Sequence, residues 1–120
     1  MKHLKKFVKG FVYASRGIID GFEGRNMKFH GLATVAVVIL GFIFKLNITE
    51  WMIILILIAL VWSAELVNSS IEDLSNIVRD TNKLTYAATK KARDLAAGSV
   101  LIIAIVAAII GLFVFFINII

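Results

Sequence analysis

The stretch W-M-I-I-L-I-L-I-A-L-V-W-S-A-E-L-V-N-S-S-I-E, from Trp51 to Glu72, decides the fold. It begins as an apolar run of the kind that crosses a bilayer as a helix. A carboxylate then appears at Glu65 while the segment is still hydrophobic. On a helix Glu65, Asn68 and Glu72 stand at i, i+3 and i+7 and share one face. Ionisable groups near bilayer depth cost roughly 2.5–3.5 kcal/mol each on insertion scales, and they mark functional sites. The bland reading, that such groups only join helices through hydrogen bonds, suits Asn68 or Ser69 taken alone. It suits two glutamates and an asparagine on one stripe less well.

Working outward, the composition supports a membrane chain. Of 120 residues, 60% are hydrophobic and 18% charged, which no ordinary soluble domain shows. The length allows a single domain, 1–120. The net charge of +5 flanks apolar runs, which speaks for membrane topology rather than nucleic-acid binding. No cysteine is present, so neither disulfides nor a thiolate metal site is available. The N-terminus lacks the pattern of a cleaved signal peptide.

Residues 1–30 interleave Phe7, Val8, Phe11, Val12, Ile18, Ile19 and Phe22 with lysines and arginines. This predicts an amphipathic arm lying in the membrane interface. Gly31–Phe44, with its flanks, predicts a first span over about 28–48. Lys45–Glu50 forms a short polar turn, with Thr49 as the expected helix cap and Trp51 as an interfacial aromatic. The second span is expected over 51–72, then a polar connection over 73–94 made of a loop joined to helical extensions of its neighbours, and a third span over 95–117. The fold class is therefore all-α and integral to the membrane: an interfacial helix plus three transmembrane helices.

Lysines and arginines number seven in the arm, one in the first connection and five in the second. Basic segments stay cytoplasmic. The arm and the 73–94 connection are thus expected on the cytoplasmic face of a bacterial cell membrane, with the 45–50 turn and the C-terminus outside. Glu23, Glu65, Glu72, Arg93 and Asp94 then converge on one membrane face.

No phosphate-binding glycine loop and no nucleophile elbow is present. His3 and His30 stand alone, as packing or interface histidines do. What remains is a set of carboxylates beside cations. Hard oxygen donors suit Mg²⁺, which takes one or two carboxylates together with substrate phosphates. Phosphoryl transfer asks for little more than metal, cations and a base. An ion path is the competing use of such a stripe, but the third span offers no polar group between Ser99 and Asn118.

Three stretches carry a resemblance. They are Arg25-Asn-Met-Lys-Phe-His30, Glu65-Leu-Val-Asn-Ser-Ser-Ile-Glu72 and Ala92-Arg-Asp-Leu-Ala-Ala-Gly-Ser-Val-Leu101. Together they resemble the small prokaryotic diacylglycerol kinases, three-helix membrane lipid kinases. The middle stretch resembles the family signature E-[ILV]-x-N-[ST]-[AS]-[IVL]-E. The first stretch and the Glu50-Trp51 helix start look like the Gram-positive branch, mostly assigned undecaprenol kinase activity.

The resemblance implies ATP-dependent phosphorylation of a membrane lipid alcohol, undecaprenol or alternatively diacylglycerol, with Mg²⁺. It implies a homotrimer with active sites shared between subunits. It makes Glu65 the general base for the lipid hydroxyl and Glu72 a metal ligand at the nucleotide phosphates. Asn68 would steady the phosphates or the base, Arg93 and Asp94 would hold nucleotide, and Tyr13 would lie against the nucleotide.

Three positions depart from the family pattern. Gly24 stands where an acidic metal ligand usually precedes the R-N pair, so Glu23 becomes the candidate ligand. Arg93 replaces the usual lysine. Asn76 stands where an aspartate is common. The structural alternative for Glu65 is a pairing with Arg25 or Lys28 that only holds helices together, and the competing class for the chain is a non-enzymatic membrane protein, a small helical oligomer forming an ion path or an adaptor subunit.

Overall fold

The computed structural model describes residues 1–120, the side chain of Arg25 excepted. Its α-helices are α1 (Lys2–Gly21), α2 (Arg25–Ile43), α3 (Ile48–Thr81) and α4 (Lys90–Ile119), with one 3-10 turn at Tyr86–Ala88. The protein is all-α. Three of its helices, α2, α3 and α4, are long and apolar enough to cross a membrane.

α1 stands apart. Phe7 and Phe11, one turn apart, meet edge to face at 5.3 Å, and no residue of this helix is buried. Among the described residues its apolar stripe has no partner, as expected of a helix that beds into a membrane interface. It touches the body only at its end. Gly21 lies so close to α3 that a Cβ would displace the Leu66 methyl group. The Phe22 ring meets Trp62 edge-on, with centroids 4.9 Å apart.

α2 and α3 form an antiparallel hairpin whose rungs can be followed along both helices. His30 faces Glu65. Trp62 Nε1 donates to Thr34 Oγ1 at 2.9 Å. Gly41 meets the Trp51 ring without room for a side chain between them. α4 returns along α3, with Arg93 against Asn76 at one end and Asn118 donating to Glu50 at the other. α3 is therefore the central strut, and both neighbours take their register from it.

The turn after α2 closes as a Schellman motif. Lys45 adopts φ 54°, its N–H reaches Phe42 O, and Leu46 N–H reaches Gly41 O at 3.1 Å. The same motif ends α3, with Lys83 at φ 53° and Leu84 N–H on Arg79 O at 2.8 Å. In both, lysine occupies the left-handed position that glycine would take at lower cost.

The cap of α3 is Asn47, not Thr49 as expected. Asn47 Oδ1 accepts from Glu50 N–H at 2.9 Å, and Glu50 Oε1 accepts from Asn47 N–H at 3.1 Å. Only Asn47 has a glutamate three residues on to complete a capping box; Thr49 already lies within the first turn.

In the connection over 73–94, α3 extends to Thr81 and α4 begins at Lys90, as the expected helical extensions do, and the loop between them holds the 3-10 turn Tyr86–Ala88. α3 runs 34 residues, about 51 Å at 1.5 Å per residue. That exceeds the roughly 30 Å hydrocarbon core by several turns. If its apolar first part spans the membrane, its last turns stand clear of it, with Glu65–Glu72 at the boundary.

Leu46, Ile54 and Val114 form a small core near the α2–α3 turn, flanked by Phe44, Trp51 and Phe115. Elsewhere the usual polarity is reversed. Of the buried residues of α3, namely Glu50, Ile54, Glu65, Asn68 and Ser75, only Ile54 is apolar. Leu55, Ile56, Leu60 and Val67 point outward. This is how a chain arranges itself when lipid rather than water covers it. The radius of gyration is 18.0 Å, against about 14 Å for a compact domain of this length, so the helices splay rather than close on themselves.

Candidate active site

The site is built on the fifth to seventh turns of α3. Glu65 and Asn68 are 2% and 3% exposed, and Glu72 is half-buried one turn further on. The i, i+3, i+7 spacing thus puts all three on the face that looks into the chain. Asn68 Nδ2 donates to Glu72 Oε1 at 3.3 Å, tying the amide to the second carboxylate. Asn68 Oδ1 is buried and has no hydrogen-bond partner. An orphaned buried acceptor carries a desolvation cost of about 1–3 kcal/mol, which a bound donor or cation would remove.

His30 comes to this face from α2. Its Nε2 lies 3.6 Å from Glu65 Oε2, with the glutamate side chain 3% exposed. That is ion-pair distance, longer than a direct hydrogen bond. Sequence reasoning passed His30 over because nothing in its own neighbourhood suggests a carboxylate. Of the cations expected to pair with Glu65, Lys28 is exposed and the Arg25 side chain lies outside the described residues.

The other predicted residues are distributed differently. Arg93 is committed to the α3–α4 turn. Its Nη2 donates to Asn76 Oδ1 at 2.6 Å, its Nε donates to Thr89 Oγ1 at 3.1 Å, and its guanidinium lies 5.0 Å over the Tyr86 ring. Asp94, the next residue round the helix, is exposed and bound to Lys90 Nζ at 2.6 Å. The hydrogen bond and charge of Asp94 raise the pKa of Lys90 above its ordinary value. Asp94 lines a shallow groove on α4 with Lys90, Lys91, Gly98 and Ser99.

Tyr13 is exposed on α1 with Arg16 beside its ring at 6.0 Å, about 13 Å of helix rise from Phe22. Glu23 is exposed in the turn after α1, its N–H on Asp20 O at 3.1 Å. The residues before it, Gly21 and Phe22, lie against Leu66 and Trp62 on α3, two residues that bracket Glu65. Within one chain, then, Glu65, Asn68 and Glu72 share the inward face of α3, while Tyr13, Glu23 and Asp94 are exposed on other segments.

No three carboxylates, histidines or cysteines among the described residues are grouped to hold a metal. The donors present still fit Mg²⁺ in the form it takes at phosphates: the Glu72 carboxylate and the orphaned Asn68 Oδ1 are hard oxygens one turn apart, with phosphate left to supply the rest.

On the membrane side of His30 an apolar groove of about 460 Å³ runs between α2, α3 and α4. Phe29, His30 and Trp62 line one end, and Leu40, Ile54 and Phe115 the other. Between them Ala104, Ala107 and Gly111 of α4 keep it open. From His30 to Leu40 the groove extends about 15 Å by helix rise.

Comparison with known proteins gives three findings. A family model described as prokaryotic diacylglycerol kinase matches residues 12–115. The undecaprenol kinase of Bacillus subtilis (strain 168) is 42% identical over 113 residues, which cover 93% of this chain and 89% of that protein. No solved structure matches.

Proposed function

The chain belongs to the prokaryotic diacylglycerol kinase family, and we propose that it transfers the γ-phosphoryl group of ATP to the hydroxyl of undecaprenol. As a member of that family it is a lipid kinase of bacterial membranes. The observation that carries the choice of acceptor is the groove: one apolar channel that begins at His30, beside the buried Glu65 carboxylate. A single prenyl chain laid in it brings its terminal hydroxyl to the carboxylate. The 42% identity to an undecaprenol kinase points the same way.

In the reaction the lipid oxygen forms a bond to the γ-phosphorus, and the bond from that phosphorus to the ADP oxygen breaks. The hydroxyl proton passes to Glu65. Burial on the inner face of α3 keeps water from this carboxylate, so the hydroxyl meets little competition for it. Glu72 and Asn68 would hold Mg²⁺, which supplies charge neutralisation at the phosphates. Asn68 Nδ2, by holding Glu72, keeps that carboxylate turned toward the same space as Glu65. Arg93 secures the start of α4, and so presents Asp94 and Lys91 at the exposed groove where nucleotide would dock.

Because Asp94 and Tyr13 lie away from Glu65 in the same chain, the reading includes a homotrimer in which a neighbouring copy completes each site. The reversed polarity and splayed helices support it: apolar faces of α4 remain for lipid or a second copy to cover. The N-terminus is assigned to the cytoplasm from the lysine and arginine distribution.

The test is purified protein in one lipid environment, with ATP and either undecaprenol or diacylglycerol. A higher kcat/KM for undecaprenol is expected. Comparable or reversed values would refute the acceptor assignment, and phosphorylation of neither would refute the kinase reading.

A further inference from the structure

His30 offers an observation that the roles above leave unused. It is the described titratable side chain within ion-pair reach of Glu65, and it also lines the lipid groove. It therefore stands between the carboxylate and the space in which an acceptor hydroxyl would lie.

Its place is held on several sides. The Phe29 ring meets the imidazole edge-on at 5.7 Å. One turn on, Thr34 Oγ1 donates to His30 O at 2.8 Å and accepts from Trp62 Nε1 at 2.9 Å. The Thr34–Trp62 bond sets the separation of α2 and α3 one turn from the His30–Glu65 contact. The imidazole thus faces Glu65 across a spacing that neighbouring contacts determine.

A buried carboxylate without a partner is unstable toward protonation or toward turning away to water. His30 Nε2 stands 3.6 Å from Glu65 Oε2, the nitrogen from which a donor could reach that carboxylate. At 3.6 Å the pair is open by a few tenths of an ångström. Catalytic contacts in the free state are commonly longer than in the reacting complex, and loading of the groove beside His30 is the event that would close this one.

We propose that His30 is a positioning residue for the phosphoryl transfer: its Nε2–H holds the Glu65 carboxylate oriented toward an acceptor hydroxyl at the mouth of the groove. The role rests on the kinase reading above. His30 transfers no phosphoryl group and binds no nucleotide. It reduces the orientations open to Glu65, and misplacement of a reacting group by about 1 Å can cost 10²-fold in rate.

The experiment compares wild type, His30→Ala, His30→Gln, Glu65→Gln and the Glu65→Gln/His30→Ala double variant, with undecaprenol and radiolabelled ATP in one lipid mixture. His30→Ala is expected to lower kcat by about 10–100-fold with KM for ATP unchanged. His30→Gln, which restores an N–H donor near the Nε2 position, should recover most of that loss. In the Glu65→Gln background, His30→Ala should cost no further activity, because the group it positions has gone.

An equal further loss in that background would show that His30 acts independently of Glu65 and would overturn the proposal. So would a His30→Ala protein with wild-type kcat, or a His30→Gln protein no better than His30→Ala. If His30→Ala does not assemble, the His30→Gln variant alone decides: near wild-type kcat supports the role, and loss of kcat in an assembled protein overturns it. A wild type that phosphorylates no lipid alcohol overturns the kinase reading and this inference together. An active wild type with any of the overturning patterns removes the inference alone.

Discussion

Arg93 Nη2 donates to Asn76 Oδ1 across α4 and α3 at 2.6 Å. Each of these residues departs from the family pattern, lysine and aspartate being usual there, and the two departures are partners. The contact that links α3 to α4 here is a charge-assisted hydrogen bond. Arginine's fork reaches Thr89 with a second nitrogen and stacks on Tyr86, contacts that a lysine ammonium reproduces poorly. Asn76→Leu should therefore lower stability by about 1 kcal/mol, below the roughly 1.5–3 kcal/mol of hydrogen bonds to charged groups because the pair is partly exposed. Asn76→Asp should be neutral or stabilising. Thermal unfolding in detergent checks both, and an unchanged Tm for Asn76→Leu would mean that the contact contributes nothing.

Glu65→Gln keeps the shape of the side chain and removes its basicity. The protein should fold, assemble and bind nucleotide normally, with turnover lower by roughly 10²–10⁴. A protein that instead loses assembly and activity together would place Glu65 among structural partners. Retention of most of the turnover would remove it from the mechanism.

If sites are shared between copies, inactive variants should rescue one another. Glu65→Gln and Asp94→Asn homo-oligomers are each expected to be weak. Mixed before reconstitution, some trimers contain a site with both native groups, and activity should exceed that of either variant alone. No gain on mixing, with mixed oligomers verified by a tag on one copy, would argue that each chain carries its own site.

Glu23 is exposed in the turn after α1, next to Phe22, which packs on Trp62 of α3, and to Gly24, which has no side chain to ligate. If it supplies the second carboxylate to Mg²⁺, Glu23→Gln should raise the Mg²⁺ concentration needed for half-maximal activity, with kcat at saturating Mg²⁺ changed less. An unchanged Mg²⁺ dependence would leave Glu72 and Asn68 as the protein's ligands.

Topology can be read with single cysteines, since the chain has none of its own. An impermeant thiol reagent added outside intact cells should label a cysteine at Asn47, in the α2–α3 turn, and not one at Lys83, in the α3–α4 turn. The opposite pattern would invert the assignment of the site to the cytoplasmic face.

The three spans, the exposed arm and the stripe of Glu65, Asn68 and Glu72 are legible in the amino-acid sequence. All depend on composition and on the helical period, which are local properties, and burial of that stripe follows from the poor solubility of carboxylates in lipid. What only the tertiary structure decided lies between helices. The Asn47 cap depended on which residue stood three before Glu50 once the helix start was set. The length of α3 depended on packing by α4, which carries a polar sequence past the membrane as helix. The partners of Glu65 and Arg93 depended on register. An antiparallel pair can slide by a turn with little change in apolar contact. It is the Thr34–Trp62 bond, the Gly41–Trp51 approach and the Asn118–Glu50 contact that bring His30 level with Glu65 and Asn76 level with Arg93.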